Sequence, residues 1–120
     1  MLLLHDALWI ADDVMNGNWP KSAWYLYRDK LKIYIRNQRL PDVGGSYQQF
    51  LCIANINQRY ERDKGKGILT EFLDKVEPHY DVMVENVIND RLHGYLQRRK
   101  YEAIYHDWEP TPISYKKIRD

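Results

Sequence analysis

Apolar positions at Ile68, Leu69, Phe72, Leu73 and Val76 fall at i, i+1, i+4, i+5 and i+8, one face of a helix expected to run to about Lys75 or Glu77 and stop before Pro78. Leu31, Ile33 and Ile35 alternate with Lys32, Tyr34 and Arg36, the period of a half-buried strand. Pro41 to Gly45 carries turn residues. Residues 47–57, which include the apolar run Phe50 to Ile56, are therefore expected to form the second strand of a hairpin. Toward the amino terminus, residues 3–15 read as a short helix with Leu4, Leu8 and either Ala11 or Met15 on one side. Asn16 to Pro20 is a turn, and the aromatic stretch Trp24 to Tyr27 a short strand. Beyond Pro78, Asp81 to Val87 reads as a strand, and Asn89 or Asp90 can cap a helix bearing Leu92, Tyr95 and Leu96. Tyr101 to His106 and Ile113 to Ile118 complete a strand pair around Glu109 to Pro112. The order strand pair, helix, strand, helix, strand pair implies a mixed sheet with helices packed on it.

Nothing in the pattern repeats or marks a linker, so 120 residues read as one domain. A net charge of +1, from 18 basic and 17 acidic residues, argues against broad electrostatic attraction to nucleic acid. Arg98 to Lys100 and Lys116-Lys117, near Tyr95, Tyr101 and Tyr115, can face a single strand or form a solvated, cation-bearing helix end. No apolar run approaches the roughly 18–20 residues that span a membrane, and Met1 to Leu4 lacks the basic start and cleavage site of a signal peptide. The single cysteine, Cys52, lies in an apolar run and reads as a small buried side chain in a reducing, cytoplasmic setting. His5, His79, His93 and His106 show no paired spacing for a metal. Ten tyrosines and four tryptophans against two phenylalanines suit the walls of a half-open cleft or a partner surface, because these rings carry polar tips.

The chemistry concentrates in Arg62-Asp63-Lys64-Gly65-Lys66-Gly67, between the apolar strand and the helix that opens at Ile68. Glycines let backbone N–H groups approach a ligand closely, and a helix start adds unpaired donors and a positive dipole end. That combination makes a site for phosphate or pyrophosphate. Its bland counterpart is a glycine-softened loop.

With this loop and the stretch Val84 to Leu92, Leu96 and Arg99-Lys100-Tyr101, the chain resembles the GNAT family of acyl-CoA-dependent N-acetyltransferases over residues 30–118. Arg62 to Gly67 is similar to the family's Arg/Gln-x-x-Gly-x-Gly/Ala loop; a second alignment puts Lys64 at the Arg/Gln position, Gly67 at the first glycine and Leu69 at the second. The second stretch resembles a strand ending in Asn, then a helix, then a Gly-Phe strand start, with Lys100-Tyr101 in place of Gly-Phe. The resemblance implies an α+β fold of the three-layer α/β type, with a splayed, mixed, mostly antiparallel sheet whose cleft admits a pantetheine arm. Residues 1–28 are shorter than the family's usual first strand and two helices.

What the resemblance further implies is an acetyl-CoA-dependent transfer to an amine of a small molecule or protein. Strand amides of Ile53, Asn55 and Ile56 would hold pantetheine, with Asn89 orienting it. Gly65, Lys66, Gly67 and Ile68 would hold pyrophosphate, with Arg62 or Lys64 adding charge. Glu85 is the candidate base, directly or through water, and otherwise a solvated strand residue. Tyr95 or Tyr101 is the candidate acid for the leaving thiolate; Leu96 holds the position where many family members carry tyrosine, and Tyr95 is rotated from it by about 100°. The alternative is a catalytically inactive GNAT-fold binding or structural protein, for instance of a phage particle. A homodimer is left open.

Overall fold

The structure is a computed structural model that describes residues 2–4, 6–16, 21–41, 44–58, 67–88, 90–105 and 114–119. Its elements run β1 (Leu2–Leu4), α1 (Ala7–Met15), β2 (Ser22–Tyr27), β3 (Leu31–Pro41), β4 (Tyr47–Gln58), α2 (Ile68–Val76), β5 (Val82–Val84), α3 (Asp90–Arg98), β6 (Glu102–Ile104) and β7 (Ser114–Lys117). The strands form one seven-stranded mixed sheet in the order β1-β2-β3-β4-β5-β7-β6. Only β1–β2 and β4–β5 are parallel. Among the described residues no helix is long and apolar enough to cross a membrane.

The amino-terminal segment differs from the single helix expected over 3–15. Leu2, Leu3 and Leu4 pair in parallel with Tyr25, Leu26 and Tyr27, so the sheet edge claims them and the helix begins at Ala7. Asp6 caps it, its Oδ1 accepting from the Trp9 N–H at 3.1 Å. The β2–β3 turn spans Arg28 to Lys30, with Arg28 and Asp29 left-handed at φ 52° and 57° without glycine and the Lys30 N–H bonded back to the Tyr27 carbonyl at 3.0 Å.

Alternation in β3 sends Leu31, Ile33 and Ile35 to one face, where they meet Tyr25, Tyr27, Leu51, Ile53, Val82 and Val84. The same cluster takes Ile10 and Val14 of α1, Phe72, Leu73 and Val76 of α2, and Leu96 of α3. Each of these large apolar side chains contributes about 1.5–3 kcal/mol on full burial. All three described helices thus lie on one face, and among the described residues the fold has two layers where three were expected. The placement of α3 decides this. Its Arg99 flank binds Glu77 at the end of α2, and its Tyr95 hydroxyl meets Thr70 at the start of α2, so α3 lies beside α2. On the opposite face Phe50, Cys52, Ala54 and Met83 form a smaller cluster with Tyr34, Leu40 and Ile104. Burial pushes the Cys52 thiol up to about 12, as suits a core side chain.

Tyrosine hydroxyls join the layers. Tyr25 donates to Asp13 of α1 at 2.5 Å, Tyr27 donates to Glu71 of α2 at 2.6 Å, and Tyr80 donates to Asp12. Tyr25, Tyr27, Tyr101 and Tyr115 are buried, so a large share of the tyrosine content serves the interior and not an open surface. A phenylalanine at these places would take one donor from each helix carboxylate, leaving Asp13 to Lys21 and Glu71 to Arg28.

Candidate functional site: the parting of two parallel strands

The pair β4–β5 shares only three rungs, Leu51↔Val82, Cys52↔Met83 and Ile53↔Val84. The Glu85 N–H closes the contact on the Ile53 carbonyl at 2.9 Å. Two irregularities then end it. The register of β3 against β4 shifts between Tyr34 and Ile35, which leaves Ala54 as an extra, bulged residue. Across from it Asn86 turns left-handed, at φ 57°, and its Nδ2 donates to the Ala54 carbonyl at 2.6 Å. From Asn55 onward β4 stays paired with β3, and among the described residues no strand pairs with its other edge. An open strand edge of this kind presents main-chain donors and acceptors to a ligand.

The orientation of α2 sets what stands at this opening. Its carboxyl end lies at the start of β5, because Lys117, paired with Val82, reaches Glu77 at 3.2 Å. Its first turn therefore lies at the carboxyl end of β5, where the strands part. Gly67 caps that turn at φ 77°, without any side-chain cap. The Glu71 N–H bonds back to Gly67, so the N–H groups of Ile68, Leu69 and Thr70 precede the first intrahelical acceptor. Such a terminus favours an anion. Glu71, the acidic residue of this turn, is engaged by Tyr27 and by Arg28 at 2.5 Å, and these partners, the Tyr27 hydroxyl foremost, hold its carboxyl below the usual range.

The expected site residues divide accordingly. Ile53 sits in the last shared rung, fully buried. Asn55 and Ile56 lie beyond the bulge, paired with Tyr34 and Ile33; Asn55 is exposed and Ile56 half-buried against the helix-covered core. Gly67 and Ile68 form the start of α2. Glu85 follows the last rung, and Arg36 Nη2 meets its Oε2 at 2.6 Å across the face opposite the helices. Tyr95 comes to the first turn of α2, its hydroxyl 2.6 Å from Thr70 Oγ1. Ile53, Asn55 and Ile56 thus line β4 at the parting, with Gly67, Ile68 and Tyr95 on its helix face and Glu85 on the opposite one. Arg62, Lys64, Gly65, Lys66 and Asn89 lie outside the described residues.

Tyr101 lies elsewhere. It is buried, and its hydroxyl donates to Glu77 Oε2 at 2.7 Å, at the far end of α2, about 13 Å along the helix from the first turn. Burial foremost, then the Glu77 carboxylate, pushes its phenol far above the ordinary tyrosine value. A phenol so held is a cross-link between α2 and β6, and no thiolate at the parting can reach it.

Three further residues stand at the parting. Arg36 reads in the sequence as the polar half of an alternating strand. Asn86 had a usable signal, since asparagine tolerates a left-handed backbone better than most residues and ends an apolar run. Thr70 had none. No family model, curated protein or solved structure matches the chain.

Proposed function

We propose that this chain binds acetyl-CoA at the parting of β4 and β5 and transfers its acetyl group to an amine, as its resemblance to the GNAT family implies. The observation that carries the reading is the parting itself: a three-rung parallel pair, ended by a bulge on one strand and a left-handed asparagine on the other. The residues fit the group. The free edge of β4 from Asn55 matches a pantetheine arm, whose amides need strand-like partners. The Gly67 cap and the N–H groups of Ile68, Leu69 and Thr70, which precede the first intrahelical acceptor, match a pyrophosphate.

Acetyl-CoA would supply the activated thioester. The chain's own part is to position that thioester against the amine and to receive the ammonium proton. Glu85, held by Arg36 beside the last rung, would accept it, directly or through water. Tyr95, whose hydroxyl meets that of Thr70 in the first turn of α2, would be the acid for the leaving thiolate.

The second reading, a GNAT-fold protein that binds without catalysis, draws on one specific observation. Glu85 is already committed to a 2.6 Å ion pair, and a base must be free to take a proton. Calorimetric titration of acetyl-CoA, followed by thiol release across a panel of amines, separates the two. Binding with release supports the transferase, and binding without release supports the inactive protein. No heat at millimolar acetyl-CoA sinks both. Gly67→Glu, which sets a carboxylate against the pyrophosphate, should abolish the binding.

A further inference from the structure

Glu85 lies on the sheet face opposite the helices, and the same face carries an aromatic pair. Trp24 of β2 and Tyr34 of β3 are cross-strand partners whose rings stand 5.1 Å apart at 52°. Trp24 is 37% exposed and belongs to neither buried cluster, so its ring serves the surface and not the core. Tyr34 packs against the cluster of Phe50, Cys52, Ala54 and Met83. Within that cluster Cys52 is the rung partner of Arg36, and its thiol lies against both the Arg36 guanidinium and the Glu85 carboxylate. The aromatic pair and the carboxylate thus share one floor. Asn55, exposed and opposite Tyr34, sits on the strand between them.

Spacing and charge say what such a strip can hold. Arg36 is rooted on β3 and Glu85 at the end of β5, so their 2.6 Å contact draws the carboxylate back over β4. Neighbouring strands lie about 4.8 Å apart, which puts a ring seated at Tyr34 roughly 5–10 Å from that carboxylate. A tether of two or three carbons spans the gap. Lys32 Nζ stands 4.8 Å from the centroid of the Trp24 ring, so a second cation is repelled at the aromatic end and drawn to the carboxylate. Glu85 keeps 23% of its side chain exposed, and a carboxylate has lone pairs for a further donor while it holds Arg36.

We propose that the strip from Trp24 through Tyr34 to Glu85 binds a primary amine bearing an aromatic ring two or three carbons from its nitrogen, with the ring on the aromatic pair and the ammonium at Glu85. That this amine is the acetyl acceptor rests on the acetyl-transfer reading; its binding does not. Asn55 makes the connection. Its side chain shares the face of Tyr34, while its main chain belongs to the edge of β4 that, among the described residues, no strand pairs with. An amine on the strip therefore lies beside the edge assigned to pantetheine. The aromatic pair selects its substituent, and Glu85 selects its charge.

The test needs no acetyl-CoA. The full chain is titrated by calorimetry with phenethylamine, 2-phenylethanol and butylamine, which carry ring and ammonium, ring alone and ammonium alone. Phenethylamine binds at millimolar concentration, about tenfold more tightly than either of the others. Trp24→Leu, a change at an exposed side chain outside both buried clusters, weakens phenethylamine about tenfold. Glu85→Gln weakens it to the level of 2-phenylethanol. No binding of phenethylamine, equal binding of butylamine or 2-phenylethanol, or unchanged affinity in Trp24→Leu overturns the proposal. Trp24→Leu keeps the outcome readable if Glu85→Gln unfolds. Because acetyl-CoA is absent, failure here leaves the acetyl-CoA titration to stand or fall alone.

Discussion

Glu77→Gln should destabilise the protein more than any comparable change on its polar surface. The Glu77 side chain, 12% exposed, accepts from Arg99 Nη2 at 2.7 Å, from the Tyr101 hydroxyl at 2.7 Å and from Lys117 at 3.2 Å. It thereby joins α2 to α3, β6 and β7. Removing one partner of a buried ion pair costs about 3–5 kcal/mol, because the remaining charge is stranded. Two features reduce that here. Arg99 keeps Asp74 at 2.8 Å, and Lys117, a third exposed, can turn to water. The expected loss is therefore about 2–3 kcal/mol, near 10 °C in melting temperature for a domain of this size. Tyr101→Phe, which removes one neutral donor from the same carboxylate, should cost about 1–1.5 kcal/mol and leave acetyl-CoA affinity unchanged. Urea unfolding followed by tryptophan fluorescence measures both. A Glu77→Gln loss below about 1 kcal/mol would mean that the cluster behaves as an exposed ion pair. A Tyr101→Phe protein of normal stability with impaired acetyl-CoA binding would return Tyr101 to the site.

Acid should unfold the chain through its helix carboxylates. The Tyr25 hydroxyl and Lys21 hold Asp13 below the usual range, and the Tyr27 hydroxyl does the same for Glu71. At Glu77 burial pushes upward, but Arg99, Tyr101 and Lys117 outweigh it. Groups depressed in the folded state bind more protons when unfolded, so their contribution is complete above the unfolded value of about 4 and is lost as pH falls through the folded values. Urea midpoints should hold steady from neutrality to about pH 5 and drop below it; a flat profile down to pH 3 would rule the clamps out as stabilisers. Gly67→Ala should cost about 1 kcal/mol although a Cβ there meets nothing within 4 Å, because φ is 77°. An unchanged urea midpoint would mean that the start of α2 relaxes freely.

Where one periodicity admitted one answer, the sequence was legible. Five apolar residues at helical spacing placed α2 to within a residue of its observed span, and the alternation from Leu31 defined the core face of β3. Three leucines at 2–4 fit a helix or a strand equally well, and only pairing with Tyr25 to Tyr27 decides between them. The face chosen by α3 was equally hidden, since it depends on Arg99 reaching Glu77 across 22 residues. Strand β5 was expected to reach Val87 and ends at Val84. Val87 resumes the apolar pattern, but Asn86 before it adopts a backbone that no strand sustains. At the site, the strand edge and the helix start were legible from their neighbours, whereas the partners of Glu85 and Tyr101 came from chain segments too distant for any local pattern to register.

The early end of β5 is better understood as construction than as fraying. A frayed pair would leave the Ala54 carbonyl to water and the residues after Val84 free of partners. Instead the Asn86 side chain takes that carbonyl at 2.6 Å, Arg36 takes Glu85, and Val87 is fully buried one residue later. The Ala54 carbonyl thus has a side-chain substitute for the ladder, and the left-handed asparagine costs about 1 kcal/mol to hold in place. A longer ladder would have covered the edge of β4 that, among the described residues, no strand pairs with, together with its alignment to the first turn of α2. Among the described residues, the strain, the bulge and the substitute bond all fall where the edge of β4 meets the first turn of α2. That convergence, more than the glycines that precede α2, is the physical ground for placing function at the parting.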